Sequence, residues 1–253
     1  MHSIVLNLSE KVLYRTLRPQ RARILDKKKQ QELRPFADKR SIFVHIPKTA
    51  GISVRSSLFG SSVGHHMSLR DYFLTYSYEE YAKYYKFTFV RNPWDRLFSA
   101  FRYLSGDQCT PMDRLWWSAQ FGNISFTDFV NKQIKERGLP KYLHFAPQVS
   151  FLSPSRFPFL SSKALAVDFI GLYENLHLDF EHIARRLGVD VPLEHLNASR
   201  RGSHVCYLGA YSPEMAEVVA KLYAADIGAL GYCFDNSSLR KQCLLRDTQG
   251  FGI

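Results

Sequence analysis

Three apolar runs of strand length punctuate the chain, and each gives way to a helical pattern. Ile42-Phe43-Val44 predicts a strand over 41–47, Phe87-Thr88-Phe89-Val90 a strand over 86–91, and Phe169-Ile170-Gly171-Leu172 a strand over 166–173. Unbroken apolar runs of this kind suit parallel strands buried on both faces. Helical patterns follow from near 52, 93 and 175. Pro93 occupies a first-turn position, where its missing N–H costs nothing. Asn175 is the expected cap of a helix running to Leu187 and closed by Gly188. Ser212-Pro213-Glu214 starts a further helix with Met215, Val218, Val219, Leu222 and Tyr223 along one face. Strands alternating with helices predict an α/β fold, a parallel β-sheet flanked by helices.

At 253 residues and 45% hydrophobic content, the chain can bury one sizeable core. The expected organisation is a single domain over 41–253, preceded by a basic, partly helical segment over 1–40. That segment holds 11 Lys/Arg against 4 Asp/Glu, so most of the net charge of +11 lies in it. Val5, Leu6, Leu8, Val12, Leu13 and Leu17 can form an apolar face near Arg15, Arg18, Arg21 and Arg23. This pattern fits a helix packed on the body, or a peripheral contact with an anionic membrane. No run is long enough to span a bilayer and the first residues lack a signal-peptide layout, so the expected location is cytoplasmic. Sequons at Asn7, Asn123, Asn197 and Asn236 keep a secretory origin open. Cys109, Cys206, Cys233 and Cys243 form no C-x-x-C pair, and no metal site is expected.

The first strand leads into His45-Ile46-Pro47-Lys48-Thr49-Ala50-Gly51-Ile52-Ser53, a tight loop carrying a lysine at a helix start. Unsatisfied N–H groups there, the positive end of the helix dipole and Lys48 together can hold a phosphate or sulfate. The loop is no Walker A sequence, because Lys48-Thr49 precede its glycine. At the end of the second strand stands Arg91-Asn92-Pro93-Trp94-Asp95-Arg96-Leu97-Phe98-Ser99. The planar, permanently charged fork of Arg91 suits an anion, while Leu97 and Phe101 have core spacing.

The Lys48 loop resembles the 5′-phosphosulfate-binding loop of sulfotransferases that use 3′-phosphoadenosine 5′-phosphosulfate (PAPS), in the branch containing the Golgi carbohydrate sulfotransferases. Arg91 and Ser99 resemble that family's 3′-phosphate-binding pair, an arginine and a serine eight residues on. His144-Phe-Ala-Pro-Gln148, Val167 to Leu176, Asn197-Ala-Ser-Arg200 and Tyr223 to Ile227 resemble further blocks in the same order, so the resemblance covers about 41 to 234. It implies a P-loop-kinase-like sulfotransferase fold. It also implies PAPS as donor without a metal, held by residues Pro47 to Ser53, Arg91, Ser99 and Arg200. The location would be the Golgi lumen if the chain is truncated.

The reaction implied is in-line sulfuryl transfer to an acceptor hydroxyl or amine, with Lys48 stabilising the leaving phosphate. Gly64-His65-His66-Met67-Ser68 resembles the base-bearing segment of glycan sulfotransferases, which places the general base at His66. His65 and His144 are then expected on the acceptor side, and His45 as strand packing. Segments 60–85 and 104–150 are expected to roof that side, where Trp116, Trp117, Tyr72 and Tyr76 can stack on a sugar. The acceptor implied is a glycan or a hydroxyl-bearing small molecule, and no nucleic acid. Two readings of other classes stand beside this one: a nucleotide kinase or NTPase using the Lys48 loop, and a non-catalytic binder of polyanions through residues 1–40.

Overall fold

The computed structural model describes residues 27–60, 66–153, 166–194 and 206–249. Three parallel strands are present among them, β1 Ser41–Val44, β2 Tyr85–Val90 and β3 Phe169–Leu172, with β2 in the middle. Ser41 stands opposite Tyr85 and Val44 opposite Thr88; Phe87 stands opposite Phe169 and Val90 opposite Leu172. β1 stops at Val44, earlier than its apolar run suggests, because Pro47 has no N–H to give a ladder and Lys48 turns left-handed. His45, Ile46 and Pro47 stay buried beyond its end. Helix α1, Lys27–Asp38, places Leu33 and Phe36 in the core, with Phe36 edge-on to Phe59. Residues 5–23 of the basic segment, where its apolar face was expected, lie outside the described residues.

Helix α2, Gly51–Phe59, follows β1 and is closed by left-handed Gly60. Segment 66–85 is no loop. It holds α3, Leu69–Thr75, and α4, Tyr78–Lys83, each opened by a serine capping box, Ser68 with Asp71 and Ser77 with Glu80. Tyr72 and Tyr76 donate to the carbonyls of Phe43 and Leu33 inside the core, which removes them from any sugar platform.

After β2, Asn92 accepts the N–H of Trp94 and opens α5, Pro93–Leu104, with Leu97, Phe98 and Phe101 turned inward. α6, Pro111–Gln120, is capped by Thr110 and buries Trp117 against Phe101 and Phe129, so Trp117 too is core. α7, Leu176–Arg186, ends at left-handed Gly188, as expected. Asn175 stands at its N-cap, as expected, but makes no side-chain capping bond: a 3-10 turn over Tyr173–Asn175 feeds the helix, and the Asn175 amide donates to Asp179. Asp179 is needed there, accepting from the Leu172 N–H and from buried Arg246 of α10, Leu239–Gln249. Before it, α8, Pro213–Leu222, is capped by Ser212 and buries Met215 and Val219, with Tyr223 beyond its end; α9 covers Ala224–Leu230. All three strands thus run the same way, and the carboxyl ends of β1, β2 and β3 deliver Lys48, Arg91 and Tyr173 to one edge.

Candidate active site

The loop after β1 is shaped for an anion. Lys48 and Ala50 both take left-handed backbone angles, φ 71° and 62°, and α2 begins with no side-chain cap on its first turn. Alternating left-handed residues aim successive N–H groups into one concavity. Buried Thr49 closes the loop by donating its hydroxyl to the Ile46 carbonyl at 2.9 Å. Ser53 is buried beneath the helix start while Ile52 faces outward. Gly51 is dictated by its neighbour: a Cβ there would fall 1.8 Å from Cδ2 of the buried His45 ring.

Arg91 reaches the same place from β2. Its backbone N–H and carbonyl are both paired with the side-chain amide of Gln148, at 2.9 and 2.8 Å, as a further strand would pair them. Gln148 is held in turn by Asp226, whose carboxylate accepts the N–H groups of Gln148 and Val149. The guanidinium bonds Asp95 through two nitrogens at 2.8 and 2.9 Å, donates to the Lys48 carbonyl at 3.1 Å and lies 3.9 Å from the Tyr173 ring centroid. Burial alone would lower its pKa, but Asp95, Tyr173 and Glu174 outweigh that and raise it. Three of its five N–H groups are used in these bonds; the other two are the donors it can offer a ligand. Half-buried Ser99 stands one helical turn beyond Asp95.

The Lys48 ammonium sits 4.1 Å from the Tyr103 ring centroid. Burial, and then the Arg91 charge, lower its pKa to about 8, with Asp113 pulling the other way. The Tyr103 hydroxyl donates to Asp113, which also accepts from Thr110 and Tyr142. Trp116 lies flat on Tyr142 at 3.9 Å.

Three histidine rings cluster beside the Lys48 loop. The His66 ring packs on His45 at 4.3 Å and faces His144 at 6.2 Å. His66 Nδ1 donates to the His45 carbonyl at 3.0 Å, which leaves the lone pair on Nε2. His144 is buried, with Nε2 3.6 Å from Asp113; burial lowers its pKa to about 4, and Lys48, His66 and Arg96 add to the effect against the pull of Asp113. Burial likewise holds the His45 pKa well below the usual range. Pro47, Lys48, Thr49, Ala50, Gly51, Ile52, Ser53, Arg91, Ser99, His66, His144 and Trp116 are all placed by the structure. His65 and Arg200 lie outside the described residues.

The chain matches the sequence model of the Sulfotransferase family over residues 36–233. It belongs to the sulfotransferase family. No curated protein and no solved structure matches it. As a sulfotransferase it is a transferase of sulfuryl groups, and the match covers both the Lys48 loop and the Arg91 element. Among the described residues no helix is long and apolar enough to cross a membrane, and no three His, Cys, Asp or Glu side chains cluster as a metal site.

The structure of this sulfotransferase adds residues that no motif announced. Asp95 and Tyr103 lie four residues before and four after the motif's Ser99 along α5, a polar stripe legible in the sequence as one helix face running from Arg91 toward Lys48. Gln148 and Arg96 explain the His-Phe-Ala-Pro-Gln block: fully buried Arg96 donates to the His144 and Ala146 carbonyls and pins that loop against α5, while Gln148 ties it to Arg91 just past β2. Segment 104–150 therefore does contribute to the site, through Asp113, Tyr142, His144 and Gln148.

Proposed function

We propose that the protein transfers the sulfuryl group of PAPS to a hydroxyl of a carbohydrate or hydroxylated metabolite, with His66 as general base and Lys48 at the leaving phosphate. The observation that carries this reading is the Arg91 guanidinium bonded to the carbonyl of Lys48, which joins the two cationic elements at one sheet edge. The donor set fits a nucleotide phosphorylated at both ends. Lys48, the left-handed turn and the uncapped start of α2 suit the 5′ group, while the remaining Arg91 donors and Ser99 suit the 3′-phosphate. When bound, PAPS supplies an activated sulfuryl group on a phosphate leaving group. Lys48 holds positive charge beside the oxygen that becomes anionic, and Nε2 of His66 receives the acceptor proton. Tyr142 and Trp116 form an aromatic wall next to His144 against which an acceptor can lie.

Calorimetric titration with adenosine 3′,5′-bisphosphate, the desulfated product, tests the reading, with ATP and magnesium as comparison. Binding of the bisphosphate without metal is expected; preference for ATP with magnesium overturns the reading. Arg91→Ala is expected to weaken product binding by about ten- to a hundredfold, the loss of a charge-assisted contact worth about 1.5–3 kcal/mol. Ser99→Ala is expected to act in the same direction with a smaller effect. Product affinity unchanged in Arg91→Ala removes that residue from the 3′-phosphate site.

A further inference from the structure

We propose that Asp113 is the positioning residue of this site: its buried carboxylate anchors Tyr103 beneath the Lys48 ammonium and sets a negative charge facing that lysine. The inference rests on the reading of Lys48 as the leaving-group stabiliser. Asp113 comes from α6, outside both phosphate-binding elements, and is 7% exposed. Its Oδ2 accepts from the Thr110 hydroxyl at 2.7 Å and from Tyr103 at 2.8 Å; its Oδ1 accepts from Tyr142 and lies 3.6 Å from His144 Nε2.

A plain capping role does not account for this arrangement. Thr110 alone accepts the Asp113 N–H at 3.1 Å and so caps α6. In a reciprocal capping box the Asp113 carboxylate would return to the Thr110 N–H. Here that N–H donates to the Tyr103 hydroxyl instead, and the carboxylate is spent on three hydroxyls from three chain segments. Burial pushes the Asp113 pKa up, but those hydroxyls and His144 carry it below the ordinary value, so the group is an anion at neutral pH. Hydroxyl donors stabilise a carboxylate without cancelling its charge, which leaves its field available to nearby cations.

Lys48 is faced by Arg91, His144, Tyr103 and Asp113. Of these, Arg91 repels the ammonium, His144 is neutral at pH 7 and Tyr103 is un-ionised, its pKa raised to about 12 by burial and by Asp113. Asp113 alone among these four offers an opposing charge. Opposed by burial and by an arginine, the amine keeps a larger charged fraction across the neutral range, where sulfuryl transfer would run, with that carboxylate facing it.

Competitive acetylation of the Lys48 amine, followed by peptide mass spectrometry across about pH 6 to 10, reads its titration without any ligand. The wild-type midpoint is expected at about 8. Asp113→Asn is expected to lower it by roughly half a pH unit or more, and Asp113→Glu, which keeps the charge, to leave it near wild type. Asp113→Ser, a second neutral variant, takes the place of Asp113→Asn if the latter does not fold. A midpoint that stays put in the folded neutral variants overturns the proposal, as does one that falls equally in Asp113→Glu. Titration of the wild type with adenosine 3′,5′-bisphosphate separates the two claims: no binding rejects the nucleotide site, while a shifted midpoint still establishes the Asp113 to Lys48 coupling.

Discussion

Turnover falls by about two to four orders of magnitude when His66 is replaced by alanine, while affinity for adenosine 3′,5′-bisphosphate stays at the wild-type level. The geometry sets this expectation. The His45 carbonyl fixes the His66 ring through Nδ1, so the basic nitrogen is Nε2. A base in this tautomer, oriented by a backbone acceptor, is the usual arrangement for proton abstraction near neutral pH. His144 is the competing candidate, but burial lowers its pKa to about 4, which makes it a weak acceptor of an alcohol proton at pH 7. His144→Ala is therefore expected to be milder, acting mainly on acceptor KM. A screen for sulfated products by mass spectrometry supplies the acceptor for these kinetics. An active His66→Ala beside an inert His144→Ala would move the base to the latter.

Loss of the Lys48 amine is expected to cost about two to three orders of magnitude in turnover and much less in product affinity, because its charge matters most where the leaving oxygen becomes anionic. Lys48→Arg should rescue only in part, since a broad planar head cannot occupy the place of a point charge packed on Tyr103. The direction of the pH effect follows from the depressed pKa. The lysine is a cation below about pH 8 and loses its charge as the pH rises through that value. Product binding to the free enzyme is therefore expected to weaken above about pH 8, by at most about tenfold per pH unit, and this dependence should vanish in Lys48→Arg. Turnover near wild type in Lys48→Ala would take the lysine out of the chemistry.

What the sequence disclosed was local. Apolar runs marked β1, β2 and β3, Pro93 and Ser212 marked helix starts, and the lysine loop was legible at the end of β1, because each rests on neighbours within a few residues. What it concealed depends on distant partners. Gln148 acts on Arg91 across 57 positions, so no periodicity points to it. Asp113 belongs to no local pattern, because its place is set by Tyr103 and Tyr142 from two other segments. Tyr72, Tyr76 and Trp117 were indistinguishable from sugar platforms until their contacts placed them in the core. Asn175 took the cap position its residue type suggested, but the distant demands on Asp179 gave its amide a task other than capping.

The left-handed backbone at Lys48 sets heat resistance against chemistry. A side chain beyond glycine held at positive φ costs on the order of 1–2 kcal/mol, a strain that glycine escapes. Lys48→Gly should therefore melt at a higher temperature than Lys48→Ala while being equally inert. Screening a library of variants for thermal survival alone would favour glycine at this position, and the hardiest scaffolds recovered would be those that had stopped being enzymes.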